Sequence, residues 1–112
     1  MAASSTFMTG VPELLVLRLL QDREMYGYEI VAAVAQATAR VVAPKEGVIY
    51  PLLHALEQEG LLRAQRRAVG GRIRVYYSLT SKGVRRLFDL SDDWSRMARA
   101  IQQVLKGRTH AV

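Results

Sequence analysis

Two groups of side chains in this 112-residue sequence have the types and spacing to bind an anion. The first lies in KEGVIYPLLHALEQEG, residues 45–60, which holds Lys45, Tyr50 and His54. The second is Arg66, Arg67, Arg72 and Arg74, set on either side of Gly70-Gly71. A cation, a phenol and an imidazole along one helical face suit phosphates and base edges, and arginine grips phosphate through its planar fork. The same inventory argues against an enzyme. There are two histidines, His54 and His110, and no cysteine. No metal-ligand spacing, phosphate-cradling glycine loop or nucleophile–base pair occurs. A second reading stays open, in which Tyr50 and His54 pack on each other on a solvated helix.

The first group must ride on a helix. Ile49, Leu52, Leu53 and Leu56 recur at helical spacing, which leaves Lys45, Tyr50 and His54 on the outward side, and Gly60 supplies the stop. Pro51 stands near the front of the helix, where few intrahelical bonds are forfeited. Two helices are expected before it. One starts at Pro12 and is apolar on most sides, from Leu14 to Leu20, so it should be central. QDREM is a polar break. The next runs from about Tyr26 to Ala39, with Ile30, Val31, Val34 and Ala35 inward and Gly27 allowing a close approach. After Gly60 the period becomes two: Ile73, Val75, Tyr77 and Leu79 share one face, and Arg72, Arg74, Tyr76 and Ser78 the other. With Gly70-Gly71 as the turn, residues 61–79 form a β-hairpin tipped with arginine.

Thr80 then caps a last helix reaching about Lys106. Its apolar positions include Leu87, Leu90, Trp94, Met97, Ile101, Val104 and Leu105. They exceed what a small domain can cover, and most lie on one stripe, so a second subunit is expected over them. The expected fold class is mainly α with a small β-hairpin: a winged helix-turn-helix over residues 10–79 and a dimerisation helix over 80–106. Residues 1–9 and 107–112 are expected to be loose tails. In winged helices the third helix enters the DNA major groove and the hairpin, or wing, touches the backbone.

Charge supports that reading. The net charge is +6, and residues 45–86 carry nine basic and three acidic groups, so the whole excess lies there. Such a concentration fits a polyanion partner, although a basic surface for solubility has the same composition. Half of the residues are hydrophobic and 23% are charged, as in folded globular chains. The apolar run VPELLVLRLL is broken by Glu13 and Arg18 and is too short to span a bilayer, and no signal peptide is evident, so a cytoplasmic location is expected.

The sequence resembles the PadR-like family of bacterial transcriptional regulators over roughly residues 13–106. YGYEI at 26–30, KEGVIYPLLHALEQEGLL at 45–62, GGRIRVYYSLTSKG at 70–83 and the closing helix with Trp94 carry the likeness. The resemblance implies a winged-helix homodimer that binds double-stranded operator DNA and represses transcription. One departure stands out: the family commonly has Gly-Thr-Leu-Tyr where this chain has Gly47-Val48-Ile49-Tyr50, so a contact through that threonine hydroxyl does not carry over. Tyr26 and Tyr28 are expected to pack rather than touch DNA.

The single short C-terminal segment resembles small, multidrug-sensing members. In these the last-helix tryptophan can lie at the dimer centre. By that likeness Trp94 faces its symmetry mate and sandwiches a planar aromatic effector, with Met97 and Met8 adapting to its outline and Asp93 or Asp89 favouring a cationic one. The alternative is that Trp94 plugs the dimer core. The competing function is a winged-helix dimer that serves as a protein-interaction module without an effector. The residues suggest no metal and no cofactor.

Overall fold

A computed structural model describes residues 10–107. Four helices and three strands follow in the order α1 (Val11–Asp22), β1 (Met25–Tyr26), α2 (Gly27–Ala37), α3 (Glu46–Gln58), β2 (Leu62–Val69), β3 (Arg72–Leu79) and α4 (Ser81–Leu105). The core gathers one face of each element. It contains Val16, Leu17 and Leu20 of α1, Ile30 and Val34 of α2, Ile49, Leu53 and Leu56 of α3, and Leu62 and Tyr77 of the sheet. Leu14, Leu15 and Leu19 pack around it, so α1 is central as its all-round apolarity requires.

The helix ends follow local chemistry. The α3 helix closes with Gly60 at φ +79. The Gly60 amide donates to the Glu57 carbonyl and the Leu61 amide to the Leu56 carbonyl, each at 2.9 Å. These two bonds make a Schellman stop, which glycine's left-handed freedom permits. Pro51 lies in the second turn of α3 rather than the first, so one intrahelical amide bond is lost. Thr80 caps α4 through its hydroxyl, which accepts from the Gly83 amide at 3.0 Å.

The hairpin turns through Gly70 and Gly71, at φ +56 and +80. Two positive values in a two-residue loop are the twist-matched arrangement. Its register pairs Val69 with Arg72, Arg67 with Arg74, Arg66 with Val75 and Ala64 with Tyr77. The polar break contains something the sequence did not announce: Met25 and Tyr26 form a two-residue strand antiparallel to β3, opposite Tyr77 and Tyr76. The sheet order is therefore β1-β3-β2, and α2 begins after that strand, at Gly27.

The α4 helix reaches about 38 Å at ~1.5 Å per residue. Leu87 is 4% exposed and belongs to the chain's own core. That first turn of the apolar stripe is thus covered internally, where a partner subunit was expected. Leu90 is half-buried against the same core, yet from Ser91 to Lys106 every residue except Ala98 is exposed. The radius of gyration is 16.4 Å, against about 13 Å for a compact chain of this length. The protruding half of α4 accounts for the difference.

Candidate nucleic-acid interface

The three candidates run along α3 from its N-cap, Lys45, through Tyr50 to His54, just past the middle of the helix. Lys45 is the N-cap residue and is exposed, as is His54. Tyr50 is only 37% exposed because its ring lies on the start of α2. A Cβ at Gly27 would fall 2.7 Å from Tyr50 Cε1, so glycine there makes the contact possible. Partial burial, and next the nearby Glu46 carboxylate, push the Tyr50 phenol above its ordinary value. It stays a neutral donor throughout the physiological range.

Tyr50 and His54 share an open cleft of about 260 Å³ with Tyr26, Tyr28, Leu53, Ile73, Arg74, Val75 and Tyr77. Three segments far apart in sequence meet there: the YGYEI stretch, α3 and the wing. The cleft exists because β1 pairs only with Tyr76 and Tyr77, leaving the Arg72–Val75 edge of β3 open towards α3. Tyr28 is 60% exposed, so it is not the packing residue the sequence suggested. Tyr26 does pack, edge-on to Tyr76 with ring centroids 5.5 Å apart.

The four wing arginines divide by face. Arg66 is opposite Val75, on the face that carries Tyr77, and is exposed. Arg67 and Arg74 stand opposite each other on the other face, with Arg72 beside the turn. Arg67 is ion-paired with Glu24, and its guanidinium lies 4.6 Å from the Tyr76 ring centroid. That of Arg74 lies 4.4 Å from the centroid of Tyr26. Among the described residues Arg66 and Arg72 make no ion pair.

A second cleft lies at the other end of the molecule, between the start of α1 and the middle of α4. It measures about 130 Å³ and is lined by Gly10, Val11, Leu14, Leu90, Asp93, Trp94 and Met97. Three of the five effector candidates, Asp93, Trp94 and Met97, are therefore together, and Asp89 is not part of the lining. Met8 lies outside the described residues. Trp94 is 50% exposed, and Asp93 faces Arg96 at 3.5 Å. Met97, Ile101, Val104 and Leu105 continue the uncovered stripe.

Comparison with known families decides the assignment. The model described as the transcriptional regulator PadR-like family matches residues 16–89. The chain belongs to the PadR-like family. It is 31% identical to a transcriptional regulator of Mycobacterium tuberculosis over 104 residues, covering 93% of this chain and 92% of that one. A PadR-like transcriptional regulator from Bacillus cereus superposes with a TM-score of 0.78 at 30% identity, covering 90% and 97% of the two chains. A PadR family transcription regulator from Clostridium difficile gives 0.75 at 28%, covering 86% and 99%. Members of this family are DNA-binding regulators of transcription and not enzymes, and the winged helix-turn-helix with its long last helix is their fold.

Two residues beside this candidate interface are not marked by the sequence pattern. Glu24 sat in the polar break, where nothing marked it as a partner for Arg67. Arg40 sat in a segment with no net basic excess, but it lines a concavity of about 640 Å³ with Tyr28, Pro44 and Lys45. Ala39 and Arg40 hold φ of 50 and 66, which non-glycine residues rarely adopt. Thr38 braces this turn: its hydroxyl donates to the Val34 carbonyl at 2.9 Å and accepts from the Val42 amide at 3.1 Å. Among the described residues no group of His, Asp and Glu could hold a metal ion, and no helix is long and apolar enough to cross a membrane.

Proposed function

We propose that this PadR-like regulator is a homodimeric, cytoplasmic repressor whose hold on operator DNA is released by a planar aromatic or cationic small molecule bound where two copies of α4 meet. The observation that carries the reading is the cleft at Trp94. It has apolar walls from α1 and α4, one carboxylate, and an open side along the uncovered stripe. A second copy laid along that stripe closes the cleft and turns two half-exposed indoles towards each other. Stacked rings accept many flat ligands, and Asp93 favours cations among them.

At the far end, Lys45 on α3 and Arg66 and Arg72 on the wing neutralise phosphates, while Tyr50 and His54 meet base edges. A dimer offers two such sets, which suits half-sites about one DNA turn apart. Effector and DNA communicate through the junction of α3 and α4. The Thr80 amide donates to the Leu61 carbonyl at 3.1 Å and Lys82 Nζ to the Glu59 carbonyl at 2.8 Å. A shift of one α4 against the other thus alters the separation of the two α3 helices. The effector acts only as far as it binds the two arrangements unequally.

Trp94 is the single tryptophan, so its fluorescence reports on the cleft alone. Titration of the dimer with planar aromatic cations is expected to give saturable quenching together with release of labelled operator DNA. In Trp94→Ala, which has no indole left to report, the same compounds should no longer release labelled operator DNA, while DNA affinity without them stays intact. A blue-shifted emission that no compound alters would make Trp94 interface packing and remove the effector from the proposal.

A further inference from the structure

The geometry points to a division of labour within the wing: Arg67 sets the angle of the hairpin rather than holds DNA, and Arg74 stands at the other end of the same stack. Placing two cations directly opposite across a strand pair is unfavourable unless each has its own partner, and here each has. Across one face of the sheet runs a stack of Arg74 on the central strand, Tyr26 on β1, Tyr76 on the central strand again and Arg67 on β2. The spacings are 4.4 Å from guanidinium to ring, 5.5 Å from ring to ring at 67°, and 4.6 Å from ring to guanidinium. Beyond Arg67 the stack ends on the Glu24 carboxylate, and Arg67 also donates to Gln65 Oε1 at 2.9 Å. Both guanidinium groups thus lie over tyrosine rings, and the fork of Arg67 is already engaged by Glu24 and Gln65.

The stack has a mechanical task. The β1 strand pairs with β3 over only two residues, too little to fix a hairpin of eight-residue strands by backbone bonds alone. Glu24 and Tyr26 lie on the chain leading into α2, and Tyr26 is bound to the first turn of α2 through its amide, which donates to Glu29 Oε1 at 3.1 Å. The α2 start in turn carries the ring of Tyr50 from α3. Side chains of β2 and β3 are therefore clasped to the segment that seats the recognition helix, and the wing keeps a set angle to α3. Arg66 and Arg72, which have no carboxylate partner among the described residues, remain for phosphate.

The inference rests on the reading that the wing meets DNA, and salt dependence separates the two. Removing one phosphate-binding cation lowers the slope of log Kd against log salt by about 1. Arg67→Met and Tyr76→Leu are expected to weaken DNA binding by about fivefold at every salt concentration with the slope unchanged. Both should also speed amide exchange in Met25 and Tyr26. Tyr76→Phe keeps the ring and should match the parent. A slope reduced by about 1 in Arg67→Met would make Arg67 a phosphate ligand and overturn the inference. So would unchanged affinity in Tyr76→Leu, or a loss confined to Tyr76→Phe. Arg66→Ala with Arg72→Ala tests the other reading: a slope equal to the parent's removes the wing from DNA, while the outcome for Arg67 and Tyr76 still judges the stack.

Discussion

The hydroxyl of Thr80 donates to the carbonyl of Gly60 at 2.7 Å, which bonds the residue before α4 to the residue that ends α3. The same oxygen accepts from the Gly83 amide. One side chain therefore caps one helix and is fastened to the stop signal of another.

Removing that hydroxyl breaks both bonds. Thr80→Ala should lower stability by about 1–2 kcal/mol, or several degrees in thermal midpoint for a domain of this size. Thr80→Ser should retain most of it. A thermal melt of the three proteins checks this, and an alanine variant as stable as the parent would show that the junction does not depend on Thr80.

Gly83 is the neighbouring constraint. A Cβ there would overlap the Leu61 carbonyl oxygen and lie 2.7 Å from Leu79 Cδ1. Backbone cannot yield as a flexible side chain does, so Gly83→Ala should destabilise by about 2–3 kcal/mol despite alanine's better helix propensity. Denaturant titration reads it as a lower midpoint with the same slope.

Ile101 lies on the uncovered stripe and is 51% exposed in the single chain. Ile101→Glu should leave the winged-helix core intact, since the side chain it replaces is not part of that core. In the proposed dimer it buries a charge without a partner, at a cost of several kcal/mol. Sedimentation equilibrium at micromolar concentration should find the variant monomeric, with weakened operator binding. A variant that sediments as the parent does would place the interface elsewhere.

Stability should fall at high pH. Burial raises the Tyr77 phenol above its ordinary value, as it does that of Tyr50. The unfolded chain releases these protons at ordinary values and the folded chain only at higher pH, so the unfolded state is favoured progressively above pH ~10. Below that value both forms hold the proton and the contribution is fully present. Thermal midpoints from pH 8 to 11 should decline only at the alkaline end, and Tyr77→Phe should flatten the decline.

Much of the scaffold could be read from residue patterns. Glycines at 60, 70 and 71 and Thr80 mark turns and caps by local chemistry, and Ile49, Leu53 and Leu56 announce a buried face by their spacing. The two-residue strand at Met25 was not legible, because alternation needs a longer run and only pairing with β3 makes it a strand. The occupation of Arg67 and Arg74 was hidden for the same reason. It depends on a strand register and on Glu24, both set by tertiary structure. Leu87 shows a further limit: periodicity tells which residues are covered, not whether the cover comes from the same chain.

The exposed half of α4 has a consequence for abundance. An isolated helix of ~12–15 residues is marginal in water, and the stretch after Leu90 has almost no cover from its own chain. In the proposed dimer its order is supplied by mass action, so each tenfold dilution removes about 1.4 kcal/mol of stability. Occupancy of the operator then rises more steeply than in proportion to the number of chains made. The helix that carries the proposed effector site thus also ties operator occupancy to the number of chains made.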